Sequence, residues 1–189
     1  MRAILKVDKN RRLYGFYGKK YFDDIVIIPN NILSIDNDTF YGCKSLKNII
    51  IPNSVTEIGE RAFYNCTSLE NIILSNNITK INSYTFYGCK SLKNIIIPKG
   101  VTEICDHAFC CCSSLEQIII PDTVKVIEWS SFQKCKKLKK IVMPSNVITI
   151  EDFAFAECPS LKEIFITNNV NIDEHAFYKT KYFKKYNYG

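Results

Sequence analysis

Leu46-Lys47-Asn48-Ile49-Ile50-Ile51-Pro52-Asn53-Ser54-Val55-Thr56-Glu57-Ile58-Gly59-Glu60-Arg61-Ala62-Phe63-Tyr64-Asn65-Cys66 is the stretch that decides the fold, because the chain repeats it. Phe40, Phe63, Phe86, Phe109, Phe132 and Phe155 follow one another at steps of 23 residues, and Phe177 follows after 22. Three residues after each of the first six comes a cysteine: Cys43, Cys66, Cys89, Cys112, Cys135 and Cys158. Leu46, Leu69, Leu92, Leu115, Leu138 and Leu161 lie three further on, each leading into an apolar triplet such as Ile49–Ile51, Ile95–Ile97 or Ile118–Ile120. Pro52, Pro98, Pro121 and Pro144 close four of the six triplets. Two more apolar columns run through Val55, Ile78, Val101, Val124 and Val147, and through Ile58, Ile81, Ile104, Ile127 and Ile150. Self-similarity at a fixed period of this length specifies a solenoid.

One such unit is too short to bury its own apolar face, and stacked units are not. Each triplet is read as a short parallel strand, with neighbouring turns about 4.8 Å apart and the whole stack on the order of 30 Å long. Proline has no N–H to give a ladder, so it marks where the strand leaves the sheet. Ser54–Gly59 is expected to run extended, and Glu60–Phe63 to form a helical or 3₁₀ turn on the convex side, with no long helix anywhere. Residues 3–14 read as a capping hairpin turning near Asp8-Lys9-Asn10. Residues 1–24 form the N-terminal cap and a partial repeat, with Lys19 in the cysteine column. Residues 25–166 are the central repeats, and 167–189 a capping repeat with Thr180 in the cysteine column and a basic tail.

The pattern Leu46-x-x-Ile49-x-Ile51-Pro52-x-x-Val55-x-x-Ile58-x-x-x-Ala62-Phe63-x-x-Cys66 resembles the BspA-like, or Treponema pallidum-type, leucine-rich repeats over residues 16–183. The departures are local: Leu74-Ser75 and Ile166-Thr167 lack the proline, and Thr39, Thr85 and Ser131 replace the alanine before the phenylalanine. The resemblance implies a curved right-handed leucine-rich-repeat solenoid of the α/β class, mostly strand and irregular or 3₁₀ structure, with a parallel concave sheet. It also implies a protein that binds other proteins or host surfaces and does not catalyse.

The 189 residues carry 25 Lys and Arg against 19 Asp and Glu, a net charge of +6 too mild to suggest nucleic acid by itself. The apolar runs are too short to span a bilayer. The start of the chain lacks an apolar h-region, so no secretory signal is expected, and the nine cysteines read as free thiols of a cytoplasmic protein. The alternative is the cell surface, or export by a route without a signal. Free cysteine packs as a small hydrophobe, so the six column thiols read as a buried ladder. Cys105, His107, Cys110, Cys111 and Cys112 crowd one repeat, but the spacing offers no paired C-x₂-C units for zinc. Cys110 and Cys111 are the oxidation-prone thiols in this reading. His107 and His175 have no nucleophile that the repeat would hold beside them, and there is no Gly-rich phosphate loop, so neither an enzyme nor a cofactor is expected. Lys134–Lys140 and Lys179–Lys185 are basic, yet no stacking platform or recognition module accompanies them. Trp129 stands in an otherwise polar column, and a contact with Phe153 would make a convex apolar spot.

Strand alternation sends Ile49 and Ile51 inward and leaves Ile27, Ile50, Ile73, Ile96, Ile119, Val142 and Phe165 as a stripe on the concave face. Asn48, Asn71, Asn94, Gln117, Lys140 and Glu163 run beside it. An apolar stripe of this extent reads as a protein-binding surface, whose partner and oligomeric state the residues do not name. A surface adhesin, a structural array element and the regulatory subunit of an enzyme are the rival readings.

Overall fold

The computed structural model describes residues 4–17, 25–166 and 169–180 of the chain. They form a β-solenoid of about seven turns with parallel sheets and, among these residues, no α- or 3₁₀-helix. Strands β1 (Ile4–Val7) and β2 (Arg12–Tyr17) make the expected antiparallel hairpin. Its turn is fastened by the Asp8 carboxylate, which accepts the N–H groups of Asn10 and Arg12 at 2.9 Å each. β2 then pairs in parallel with the body of the solenoid, covering the first turn. Lys19, the rest of the partial repeat to residue 24, and the basic tail after Thr180 lie outside the described residues.

Two rows of short strands alternate along the chain. The triplet row comprises β3 (Val26–Ile27), β5 (Asn48–Ile50), β7 (Asn71–Ile73), β10 (Gln117–Ile119), β12 (Lys140–Val142) and β14 (Glu163–Ile164). The second row comprises β4 (Ser34–Ile35), β6 (Glu57–Ile58), β8 (Lys80–Ile81), β9 (Glu103–Ile104), β11 (Val126–Ile127), β13 (Thr149–Ile150) and β15 (Asn171–Ile172). Between the rows, the proline carbonyl accepts the N–H of the residue three on, as in Val55 to Pro52 and Val101 to Pro98, both at 3.0 Å. Where Pro is replaced by Ser75, its hydroxyl donates instead to the Val55 carbonyl and accepts from the Asn77 N–H. Register is one turn per step, Ile49 against Ile72 and Ile127 against Ile150. The missing residue of the last turn is absorbed between Val170 and Ile172, where Ile150 pairs with Ile172.

The segment after the second row is not the 3₁₀ turn expected at Glu60–Phe63. It is a run of tight turns whose hydrogen bonds alternate. The N–H groups of Ala62, Tyr64 and Cys66 close local turns to Gly59, Arg61 and Phe63, while those of Arg61, Phe63 and Asn65 cross to Ser83, Thr85 and Tyr87 of the next turn. Two left-handed residues set this alternation, at φ 54° for both Arg61 and Asn65, and the same two positions recur as Tyr84 with Gly88, His107 with Cys111 and Ser130 with Lys134. A helix would need every N–H to point back along its own segment, so the alternation excludes one. Three crossing bonds of this kind join each pair of turns from Asp38 to Ala156.

The core lies between the sheets and this edge. Eight phenylalanine rings, from Phe16 to Phe177, form one continuous column, and those from Phe40 to Phe177 are spaced 5.2 to 5.5 Å between centroids. Phe40 through Phe155 are fully buried, each contributing about 1.5–3 kcal/mol by leaving water. The six column cysteines are buried thiols outside any disulfide. Each of the last five donates its S–H to the carbonyl of the phenylalanine 26 residues earlier, such as Cys112 to Phe86 at 3.1 Å. Burial pushes the thiols of Cys89, Cys112 and Cys135 up, so they keep the proton they donate. In the last turn the Thr180 hydroxyl takes the same place and donates to Phe155 at 2.7 Å.

Candidate interaction surface

The alternation of each triplet fixes which side chains face water. Ile49, Ile51, Ile118 and Ile120 are at most 2% exposed, and Ile73, Ile96 and Ile119 between such pairs are 59%, 87% and 63% exposed. Ile27, Val142 and Phe165 are exposed in the same row, and Ile50 is half-buried. The structure thus brings the whole predicted stripe to one face. Beside it, Asn71 donates to Asn48 through its side-chain amide at 2.8 Å, and Asn94 and Gln117 continue the row in solvent. The row ends in charge, with Lys140 Nζ 3.3 Å from Glu163 Oε2. One end of the face is framed by amides and the other by an ion pair.

Sequence reasoning missed an interruption in this face. The third of the six triplets, Ile95–Ile97, is as apolar as its neighbours but joins no ladder, so the triplet row splits into the sheets β3-β5-β7 and β10-β12-β14. A cleft of about 480 Å³ opens there, lined by Ile95, Ile96, Ile97, Ile119, Ile120 and Pro121 among others. The second row breaks elsewhere, between β6 and β8, where the Asn82 side-chain amide donates to the Ile58 carbonyl at 2.7 Å in place of a backbone ladder.

The other sequence-derived candidates separate. Lys134, Lys139 and Lys140 of the basic stretch lie 3.7, 3.0 and 3.3 Å from Glu157, Glu116 and Glu163, so three of its five lysines face a carboxylate one turn away. Trp129 does not stack on Phe153. It meets His107 edge-on at 4.7 Å, and Phe153 stacks on His175 at 5.3 Å, each pair spanning neighbouring turns. Cys112 belongs to the core ladder and His107 to an aromatic cluster with Tyr84 and Trp129. Cys105 lies with Glu103 and Glu128, the three ligand atoms within 4.8 Å of one another, and Glu103 already meets Lys80 Nζ at 2.6 Å. Burial and these carboxylates push the Cys105 thiol up to about 12. The sequence reading also passed over Tyr41, Tyr64 and Tyr87, whose rings stack at 4.9 and 4.7 Å along the turn edge; their 23-residue spacing next to the phenylalanines was the available signal.

No helix among the described residues is long and apolar enough to cross a membrane. The sequence model of the BspA type leucine rich repeat region matches six copies across residues 11–139 and 57–184. No curated protein matches. Among solved structures, the T. pallidum leucine rich repeat protein is 27% identical with a TM-score of 0.76, over 90% of this chain and 82% of that one. A leucine rich cell surface protein of Faecalibacterium prausnitzii is 30% identical with a TM-score of 0.81, over 93% of this chain and 50% of that one. A leucine-rich repeat protein of Bacteroides ovatus is also 30% identical, with a TM-score of 0.65 over 88% and 54% of the two chains.

Proposed function

Because the chain belongs to the BspA-type leucine-rich repeat family, whose members are typically interaction proteins, we propose that it binds a protein partner through the triplet face and performs no chemistry on it. The observation that carries this reading is the row of exposed isoleucines at the centre of the face, with Ile96 and Ile119 the most exposed large apolar side chains of the middle turns. β-branched isoleucines are stiff at χ1 and lose little side-chain entropy when covered, and each removes apolar surface from water on contact. The exposed amides of Asn71, Asn94 and Gln117 supply directional hydrogen bonds at the margin.

The test is affinity capture from the native cell with the wild-type chain, Ile96→Asp and Ile119→Asp. A charge there leaves folding nearly intact and must be desolvated under a docked partner. Binding of the recovered partner falls at least tenfold, about 1.4 kcal/mol, while the melting transition barely moves. Glu60→Lys, on the turn edge, changes neither. Full recovery of the partner by both Asp variants rules the face out.

Nine cysteines, all as thiols outside any disulfide, fit residence in a reducing compartment. Display at a cell surface is the second reading, supported by the 30% identical surface protein of F. prausnitzii, of which this chain spans half. Protease treatment of intact cells distinguishes them: a surface protein is degraded, an internal one is not.

A further inference from the structure

Directly after Phe109 the chain departs from its repeat with Cys110-Cys111. The Cys110 column holds Tyr41, Tyr64 and Tyr87 in the preceding turns, and the Cys111 column holds Gly42, Asn65 and Gly88. The tyrosine stack therefore runs into the pair. Position 111 is left-handed at φ 63°, and its N–H crosses to the Gln133 carbonyl at 2.8 Å, so the fold rather than the side chain fixes its direction. The two Sγ atoms lie 3.7 Å apart, with Cys110 buried and Cys111 half-buried. Gln133 Oε1 is 3.9 Å from the Cys110 sulfur. Lys134, in the Cys111 column of the next turn, and Lys90 contribute positive charge, although Lys134 also lies 3.7 Å from Glu157.

We propose that Cys110 and Cys111 form a reversible oxidation site for small hydroperoxides, closing to a disulfide between adjacent residues. Three features divide the roles. Cys111 is the accessible sulfur, and reactive thiols occupy partly exposed, electropositive surroundings. Hydrogen bonds from Cys110 and Tyr87, with Lys134 and Lys90 nearby, hold the Cys111 thiol down at about 6, against the opposing pull of burial. Donation to Cys111 and burial push the Cys110 thiol up, so it keeps the proton.

In the first step the Cys111 thiolate attacks a peroxide oxygen. An S–O bond forms, the O–O bond breaks, and the departing hydroxide takes a proton to leave as water. The sulfur is oxidised by two electrons to sulfenic acid and the peroxide is reduced by the same two. Cys110 then attacks that sulfur: the S–S bond forms, the S–O bond breaks, and hydroxide leaves with the Cys110 proton as a second water. Two thiols and one hydrogen peroxide give one disulfide and two waters. The sulfurs close from 3.7 Å to about 2.05 Å. Adjacent Cα atoms are about 3.8 Å apart, shorter than the usual span of about 4.4–6.8 Å for a disulfide, so the bridge is strained and a thiol reductant reopens it.

Cys105 is the internal comparator. It is also half-buried, but its carboxylate neighbours favour the protonated thiol. At pH 7 the greater thiolate fraction of Cys111, partly offset by its lower intrinsic nucleophilicity, gives a reaction on the order of a hundredfold faster. The experiment exposes the reduced full-length chain to equimolar hydrogen peroxide, blocks remaining thiols with N-ethylmaleimide in denaturant, and reads the tryptic peptide carrying Cys105, Cys110, Cys111 and Cys112 by tandem mass spectrometry. The expected product carries a Cys110–Cys111 disulfide with Cys105 and Cys112 alkylated, and dithiothreitol restores the dithiol. In Cys110→Ser, oxidation stops at a Cys111 sulfenic acid that dimedone traps. Because the wild-type chain contains its own comparator, the result stands even where a variant unfolds. Oxidation of Cys105 as fast as Cys111, or sulfenic acid persisting on Cys111 beside a reduced Cys110, overturns the proposal.

Discussion

The turn edge and the triplet face are built from the same 23-residue repeat, yet only one of them is continuous. Along the edge, three backbone bonds cross each joint between Asp38 and Ala156, the phenylalanine rings form an unbroken column, and the cysteine S–H groups tie turns together. On the face, the ladder stops at Ile95–Ile97 although those residues are as apolar and β-branched as their neighbours. The edge is held by geometry that each turn must adopt, because its left-handed residues aim N–H groups at the next turn. The face is held by strands of two or three residues, whose few bonds contribute about 0.5–1.5 kcal/mol each and are lost when two turns separate slightly. The continuous edge carries the stability, and the interrupted face is the part free to meet something else.

The contrast breaks most visibly at the ring column. Phe109→Ala, with a ring on each side, is expected to cost about 3–5 kcal/mol in denaturant unfolding. Phe177→Ala, half-buried with one described ring neighbour, Phe155, costs less. Equal losses would mean that the column is not cooperative along the edge. The cysteine ladder comes next. Cys112→Ala removes one of the two donors to the buried Phe86 carbonyl, which keeps the Cys89 N–H at 3.1 Å, at a cost of about 0.5–1.5 kcal/mol for that bond. Cys112→Ser retains a donor, as Thr180 does natively toward Phe155, and is expected to cost less than the alanine change in the same titration.

Hydrogen exchange compares the two regions without mutation. The amides of Asn94–Ile97 exchange faster than those of Gln117–Ile119, and both faster than those of Phe109 and Cys111, which cross to Ser131 and Gln133 at 2.8 Å. Uniform protection across these segments would remove the distinction.

The smallest expected effect is a pH dependence on the edge. Burial lowers the pKa of His107, although Asp106 pulls the other way, and its Nδ1 is buried without a hydrogen-bond partner. The unfolded chain therefore binds the proton more readily than the folded one. Stability from this group is full above about 6.5 and declines as pH falls through that value toward the lower folded pKa. Thermal melts between pH 7 and 5.5 should show a shallow decline that is reduced in His107→Asn, a residue that tolerates the left-handed φ of 55° at this position. An unchanged slope in the variant would assign the decline to another group.

The residues alone determined the period, the core columns, the capping hairpin and the side of each triplet that meets water. These follow from side-chain polarity repeated at 2 and 23 residues, and a one-residue slip would bury the wrong half of every triplet. The tertiary structure decided the rest. Whether Ile95–Ile97 joins the ladder depends on how closely neighbouring turns approach, which identical isoleucines do not encode. The form of the convex turn depended on where N–H groups find acceptors, and at Arg61, Phe63 and Asn65 the acceptor lies in the next turn, 22 residues away. Trp129 met His107 rather than Phe153 because ring contacts follow backbone direction as well as column. The unlike thiols of Cys110 and Cys111 are neighbours in sequence, but their difference comes first from the hydrogen bond between their sulfurs and from their burial, with Tyr87 and Lys134, one turn away on either side, adding to it.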